Sequence, residues 1–434
     1  MDNPEQDLVE RVVARGISRG RELRRRRTHR HVAVVGGTLV ASVSLALGLI
    51  ISNGAPGSGS PKPLTPLPAR LGAVQAFSCT SEKWCALATG TWPNTSQFDL
   101  WNGRRLEVMP TTDGLHNVVI FGMSCASTSA CAAVGTTDQR AAAFEWDGSS
   151  WTTSWVKLAA HHAFEFSGVS CASASYCLAV GEWLGNGPIG TVVAQWNGLS
   201  WRLNDVTSPA VVDPNLQAVS CPIPSRCIAV GTGYPNGRPH GPIAESFNGS
   251  RWMLLPNPPP GSSATRASKF YPGGISCTSV NSCVAVGSNL PNAPLIDHWN
   301  GRNWTPMTVP KFPKSEQAEL GPIACSTASN GELCLAVGIL QPSVGAGGTC
   351  AGDLCRPANG NGMALWWNGS RWAHVAVPPQ GKYVSADLSD VACFSGPRAR
   401  CLALDSRQTN GKPGASYDLY SWNGSSWARF PTLP

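Results

Sequence analysis

Short runs of alternating small apolar and polar residues, each bounded by Gly, Asn or Ser, recur from Ala73 to the end of the chain. The clearest copy reads FSGVSCASASYCLAVG, then a variable stretch, then TVVAQWNGLSWRLNDV. Its relatives include MSCASTSACAAVG…FEWDGSSW, VSCPIPSRCIAVG…ESFNGSRW and ISCTSVNSCVAVG…DHWNGRNW. Runs this short, with period-two alternation and turn residues between them, predict strands rather than helices. Each copy parses into four strands. Strand A ends at the first Cys, B runs from the second Cys through Ala-Val-Gly, C ends at the first Trp, and D begins at the second. The Asn-Gly between C and D marks a turn, since both residues accept positive φ.

The copies number seven, and their first cysteines (Cys79, Cys125, Cys171, Cys221, Cys277, Cys325 and Cys393) stand 46, 46, 50, 56, 48 and 68 residues apart. Four strands in a unit of this length are the signature of a propeller blade. The expected fold is all-β: a seven-bladed β-propeller of four-stranded antiparallel blades over residues 71–434. The blades are placed at about 71–115, 116–161, 162–212, 213–268, 269–316, 317–384 and 385–434. Unit one carries its own strand A and unit seven its own strand D, so self-contained blades are expected. A strand swap through Ala73–Ser78 is the alternative. The copies are unequal: Leu106 replaces the second Trp of the first, and Asp405 stands where the seventh should have Gly. Of 17 Trp, 12 flank the C–D turn, where a wedge-shaped blade is wide, and are expected to be packing residues.

A different pattern precedes the repeats. Val32–Ile51 is 20 residues without a charge, long enough to cross a bilayer as a helix. Residues 1–31 hold nine Arg against five acids, and the positive-inside rule places them in the cytoplasm. The expectation is a basic tail (1–31), one transmembrane helix (32–51), a Pro/Gly/Ser-rich linker (52–70) and an extracytoplasmic propeller. A cleaved signal peptide is the alternative, although the leader is long for one. The net charge of +7 resides mostly in that tail, so no basic groove for nucleic acid is implied.

All 16 cysteines follow the apolar segment, and an even ladder outside the membrane reads as disulfides. A hairpin between the two cysteines of a unit sets them side by side on adjacent strands. The expected bridges are Cys79–Cys85, Cys125–Cys131, Cys171–Cys177, Cys221–Cys227, Cys277–Cys283, Cys325–Cys334 and Cys393–Cys401. Cys350 and Cys355 remain, and are expected to pair within one loop of the sixth unit. No metal or cofactor is expected, because the spacing matches no zinc motif and only eight His are scattered through the chain.

The unit resembles the repeat of kelch-like propellers. The matching elements are Cys177-Leu178-Ala179-Val180-Gly181 and Trp196-Asn197-Gly198-Leu199-Ser200-Trp201. The kelch double glycine is here a single one, and the paired cysteines are additional. The unit is also similar to repeats of uncharacterised actinobacterial membrane-anchored proteins. These resemblances imply a propeller and leave the ligand open.

The A–B and C–D connections are short and uniform, whereas B–C and D–A vary and share the opposite end of the disc. Function on such a scaffold is expected in the variable loops. Candidates there are Trp92, His116, Trp183, Tyr234, His240, Phe270, Tyr271, Arg356, Lys382 and Tyr383. No nucleophile elbow or phosphate-cradling loop is present. The expectation is a monomeric, non-enzymatic module that offers this face to an envelope glycan or protein. The alternative is a propeller glycan hydrolase or lyase working from the central funnel.

Overall fold

The computed structural model describes residues 73–91, 95–112, 118–137, 140–156, 163–184, 190–204, 210–235, 241–256, 270–289, 293–313, 316–329, 331–342, 349–351, 354–356, 361–377, 385–397, 400–408 and 415–430. The tail, the expected membrane helix and the linker lie outside them. No helix among the described residues is long and apolar enough to cross a membrane.

Seven four-stranded antiparallel sheets form a seven-bladed β-propeller, each sheet built from four strands taken in chain order. Blade one comprises Ala73–Ser81, Trp84–Thr91, Thr95–Trp101 and Leu106–Val108. Blade two comprises Val118–Ser127, Ala130–Thr137, Arg140–Trp146 and Trp151–Trp155. Blade three follows as Ala163–Ser173, Tyr176–Leu184, Thr191–Trp196 and Trp201–Asn204. Blade four is Val211–Ile223, Arg226–Pro235, Gly241–Phe247 and Trp252–Leu254. Blade five is Phe270–Ser279, Ser282–Asn289, Ala293–Trp299 and Trp304–Pro306. Blade six is Glu316–Ala328, Gly331–Pro342, Asn361–Trp367 and Trp372–Val375, with a side hairpin of Thr349–Ala351 and Leu354–Arg356. Blade seven is Ser385–Phe394, Arg400–Gln408, Ala415–Trp422 and Trp427–Arg429. Strand A starts at Val211 in blade four and Glu316 in blade six, slightly ahead of the expected boundaries. Consecutive A strands lie against one another, which places them around the central axis.

Each recurring residue has a local task. The B-strand glycine faces a bulge in strand A: a Cβ on Gly181 would stand 2.0 Å from the Glu165 carbonyl oxygen, and one on Gly135 2.0 Å from that of Val119. The bulge and the glycine are therefore one device. In blades one and seven Thr89 and Asp405 take this place, four residues after the second Cys, and both are buried. Between C and D the expectation of positive φ at both turn residues needs correction. Within these turns only the glycine takes it, from Gly103 at 85° to Gly148 at 96°. The Asn acts through its side chain, as Asn197 Oδ1 accepts the N–H groups of Leu199 at 3.0 Å and Ser200 at 2.9 Å. The same cap recurs at Asn102, Asp147, Asn248, Asn300, Asn368 and Asn423. The loop holds four residues because the cross-strand partners are Trp196 and Trp201.

The Trp pairs are structural. The C-strand indole N–H of Trp101, Trp146 and Trp196 donates to an A–B turn carbonyl of its own blade. D-strand Trp201 donates instead to Glu145 of the preceding blade, and Trp151 and Trp372 reach methionine sulfurs there, Met109 and Met307. Seven disulfides close the A–B hairpins: Cys79–Cys85, Cys125–Cys131, Cys171–Cys177, Cys221–Cys227, Cys277–Cys283, Cys325–Cys334 and Cys393–Cys401. Cys350 faces Cys355 across the side hairpin.

These bridges act within blades, but the residue before the first Cys acts between them. Ser78 Oγ accepts the Cys125 N–H of the next blade at 3.0 Å, and Ser124, Ser170, Ser220 and Ser276 do the same for Cys171, Cys221, Cys277 and Cys325. Five junctions thus share one latch. The serine is replaced by Ala324 in blade six and Ala392 in blade seven, and other contacts serve there. Blade six meets blade seven through Thr327, whose N–H and hydroxyl reach Ser395 Oγ, and whose carbonyl accepts the Gly396 N–H at 3.2 Å. Blade seven meets blade one through a shared core of Phe77, Leu87 and Trp101 with Leu402, Tyr417 and Leu419. Asp390 accepts the Phe77 N–H at this seam, and Arg400 pairs with Glu82 at 2.7 Å. The ring closes by side-chain packing of complete blades, without a strand swap.

Candidate functional site

Strands A and C begin, and B and D end, at the variable end of the disc. Trp183, at the end of strand B in blade three, is half-buried and packs edge-on against Phe164 at 5.9 Å. Its backbone N–H donates to the Gly190 carbonyl across the B–C loop at 3.3 Å. Trp183 therefore braces the base of a loop and shows only part of its surface. Tyr234, at the end of strand B in blade four, is exposed at 42%, and its cross-strand partner Val212 is exposed at 59%. This pair offers an aromatic and an aliphatic surface at the loop end.

Phe270 and Tyr271 open strand A of blade five, paired with Asn289 and Ser288, and Arg356 closes the side hairpin opposite Thr349. Trp92, His116, His240, Lys382 and Tyr383 lie outside the described residues. A residue missed in the sequence is Trp155. It ends strand D of blade two at the same end of the disc and is 51% exposed, the most exposed Trp among the described residues. Its signal was available, because it is one of five Trp that fall outside the repeat positions.

The carboxylates of the C strands belong to the blade bodies. Asp99 accepts from Thr89 Oγ1 at 2.5 Å and Gln97 Nε2 at 2.9 Å, and burial raises its pKa against those hydrogen bonds. Glu145 accepts from Ser154 Oγ at 2.6 Å and from Trp201, and burial again raises it. Asp418 pairs with Arg429 at 2.6 Å. Asp297 is 4% exposed, and burial pushes it up to about 7. These four acids are spread over blades one, two, five and seven, on third strands rather than the strands around the axis. Each sits within a blade, where it accepts hydrogen bonds or is desolvated, and they form no convergent acid–base pair.

No family model matches the chain. No curated protein matches it either. Among solved structures it is similar to YCF48 bound to a D1 peptide, with 12% identity, a TM-score of 0.46, and coverage of 82% of this chain and 97% of that one. It is also similar to the lectin of Aleuria aurantia, a six-bladed β-propeller with a fucose recognition mode, at 11% identity and a TM-score of 0.43, covering 71% and 95%. A third is the GH74 xyloglucanase from Xanthomonas campestris, at 12% identity and a TM-score of 0.48, covering 81% of this chain and 54% of that one. These likenesses carry no ligand or reaction over to this chain.

Proposed function

We propose that the chain is a membrane-anchored, monomeric binding module that presents the variable end of its propeller outside the cell membrane to an envelope glycan or protein. One observation carries this reading: the repeat-borne side chains are occupied in holding the ring together. The serines latch blades, the Asn residues cap turns, and the Trp residues pack and donate between hairpins. Most of what differs from blade to blade lies at the other end, where Trp155, Tyr234 and Val212 are exposed. Exposed aromatic side chains on a rigid frame suit recognition, since they present area at low conformational cost. The Arg-rich tail and the apolar segment Val32–Ile51 support the anchor, and the cysteine ladder supports an oxidising location.

The test is a glycan array together with pull-down from envelope fractions, using the full-length chain. Saturable retention that drops in Tyr234→Ala and Trp155→Ala supports the reading. Steady conversion of a bound glycan to products would replace it with the hydrolase or lyase alternative.

A further inference from the structure

At the turn end of the disc the A–B hairpins of the first five blades are uniform, and those of blades six and seven are longer. The paired cysteines of blade six stand nine residues apart instead of the six of the first five blades. That longer hairpin carries Glu332 across to blade five, where Glu332 Oε2 accepts from Ser282 Oγ at 2.6 Å and from Thr278 Oγ1. Ser282 Oγ also lies 3.0 Å from His298 Nε2. With Ser282 donating to Glu332, the contact with His298 is donated by Nε2–H.

A cleft of about 340 Å³ opens here, lined by Ser282, His298, Glu332, Thr305, Met307 and Trp367. Trp367 is the C-strand Trp of blade six and is half-buried. Its indole N–H, like that of the C-strand Trp422, meets no acceptor among the described residues. The cleft thus combines an indole N–H and ring, a thioether, two hydroxyls and a carboxylate whose second oxygen faces fewer donors among the described residues. Its volume falls in the range of small-ligand sites.

The chemistry narrows the ligand. No Lys or Arg lines the cleft, which disfavours an anion. Two hydroxyl donors already solvate Glu332 Oε2, so the carboxylate does not demand a cation. Cys325 and Cys334 stand close to Glu332, but their sulfurs are joined to each other and supply no thiolate for a metal. We infer that this inter-blade cleft binds a neutral, polyhydroxylated ligand of the saccharide class, its hydroxyls bonding Glu332, Ser282 and the Trp367 N–H. The site lies at the end of the disc opposite the variable loops and does not depend on them.

The test uses the full-length chain with the methyl glycosides of glucose, galactose, mannose and N-acetylglucosamine, followed by calorimetry and saturation-transfer NMR. At least one glycoside is expected to bind saturably, with a dissociation constant of about 1 mM. Glu332→Gln and Trp367→Phe are each expected to weaken it about tenfold, while Tyr234→Ala leaves it unchanged. Absence of binding by all four glycosides would overturn the inference, as would binding that both cleft variants retain. Displacement of the glycoside by tetramethylammonium would overturn the neutral-ligand assignment. Binding that falls in Tyr234→Ala but not in Glu332→Gln would overturn the cleft and leave the loop face standing.

Discussion

Replacing Ser170 with Ala removes the acceptor for the Cys221 N–H, 3.0 Å away across the junction of blades three and four. A hydrogen bond of this kind contributes about 1 kcal/mol net, and an amide left without water costs about 1–3 kcal/mol. In a ring of this size 1 kcal/mol lowers Tm by roughly 1–2 °C. One variant is therefore a small effect. The same substitution at Ser78, Ser124, Ser170, Ser220 and Ser276 acts at five separate junctions, and such sites add to about 5 kcal/mol. That sum approaches the whole stability of many folded domains. Urea unfolding under non-reducing conditions, followed by Trp fluorescence, reads the loss directly. The midpoint is expected to fall stepwise with each added Ala at constant slope. The Cys221 amide should also lose hydrogen-exchange protection in the single variant. A fivefold variant that unfolds at the wild-type midpoint would refute the latch.

The converse change, Ala324→Ser, places a hydroxyl where the Cys393 N–H of blade seven should reach it, and should stabilise by about 0.5–1 kcal/mol in the same urea assay. Gly181→Ala forces a Cβ to within 2.0 Å of the Glu165 carbonyl oxygen, so the blade-three bulge must rearrange, and a loss above about 3 kcal/mol is expected by thermal melting. Burial raises the Asp297 carboxyl to about 7 in the folded state, from an ordinary aspartate value of 3.8. Its contribution to stability is therefore full at acidic pH and lost as pH rises through about 7. Asp297→Asn should raise Tm above about pH 7 and flatten its decline between about pH 4 and 7. Removing one staple with Cys171→Ser and Cys177→Ser should cost about 2–3 kcal/mol, and leave the other blades' bridges intact by mass after thiol labelling.

Much of this fold was legible before any coordinates. Cysteine spacing pointed to hairpins, and the register sets Cys171 opposite Cys177; Trp196 and Trp201 flank their turn as strand ends. What escaped depends on neighbours distant in sequence. A Ser before a Cys looks like any small strand residue until consecutive A strands are set side by side, and then Ser170 meets an N–H 51 residues away. The sequence shows at the C–D turn an Asn that accepts positive φ, and the structure shows that its side chain does the capping. Trp183 reads as a surface residue because a variable stretch follows it, yet it ends strand B and Phe164 covers part of it. Trp155 is hard to see in the sequence because it closes the strand that begins four residues earlier at the structural Trp151. The cleft at Glu332 was hidden for a further reason, because a lengthened hairpin in sequence says nothing about which blade it leans toward.

The central claim is that the repeat-borne serines, asparagines and glycines hold the ring while the variable loop end binds. Retention of the full-length chain on the glycan array and on envelope fractions, measured beside Tm for the same variants, tests it most directly. The account predicts that Tyr234→Ala and Trp155→Ala lose retention with Tm unchanged, and that Ser170→Ala lowers Tm with retention unchanged. Retention that tracks Tm across all three variants, or that survives both loop-face substitutions, would contradict it.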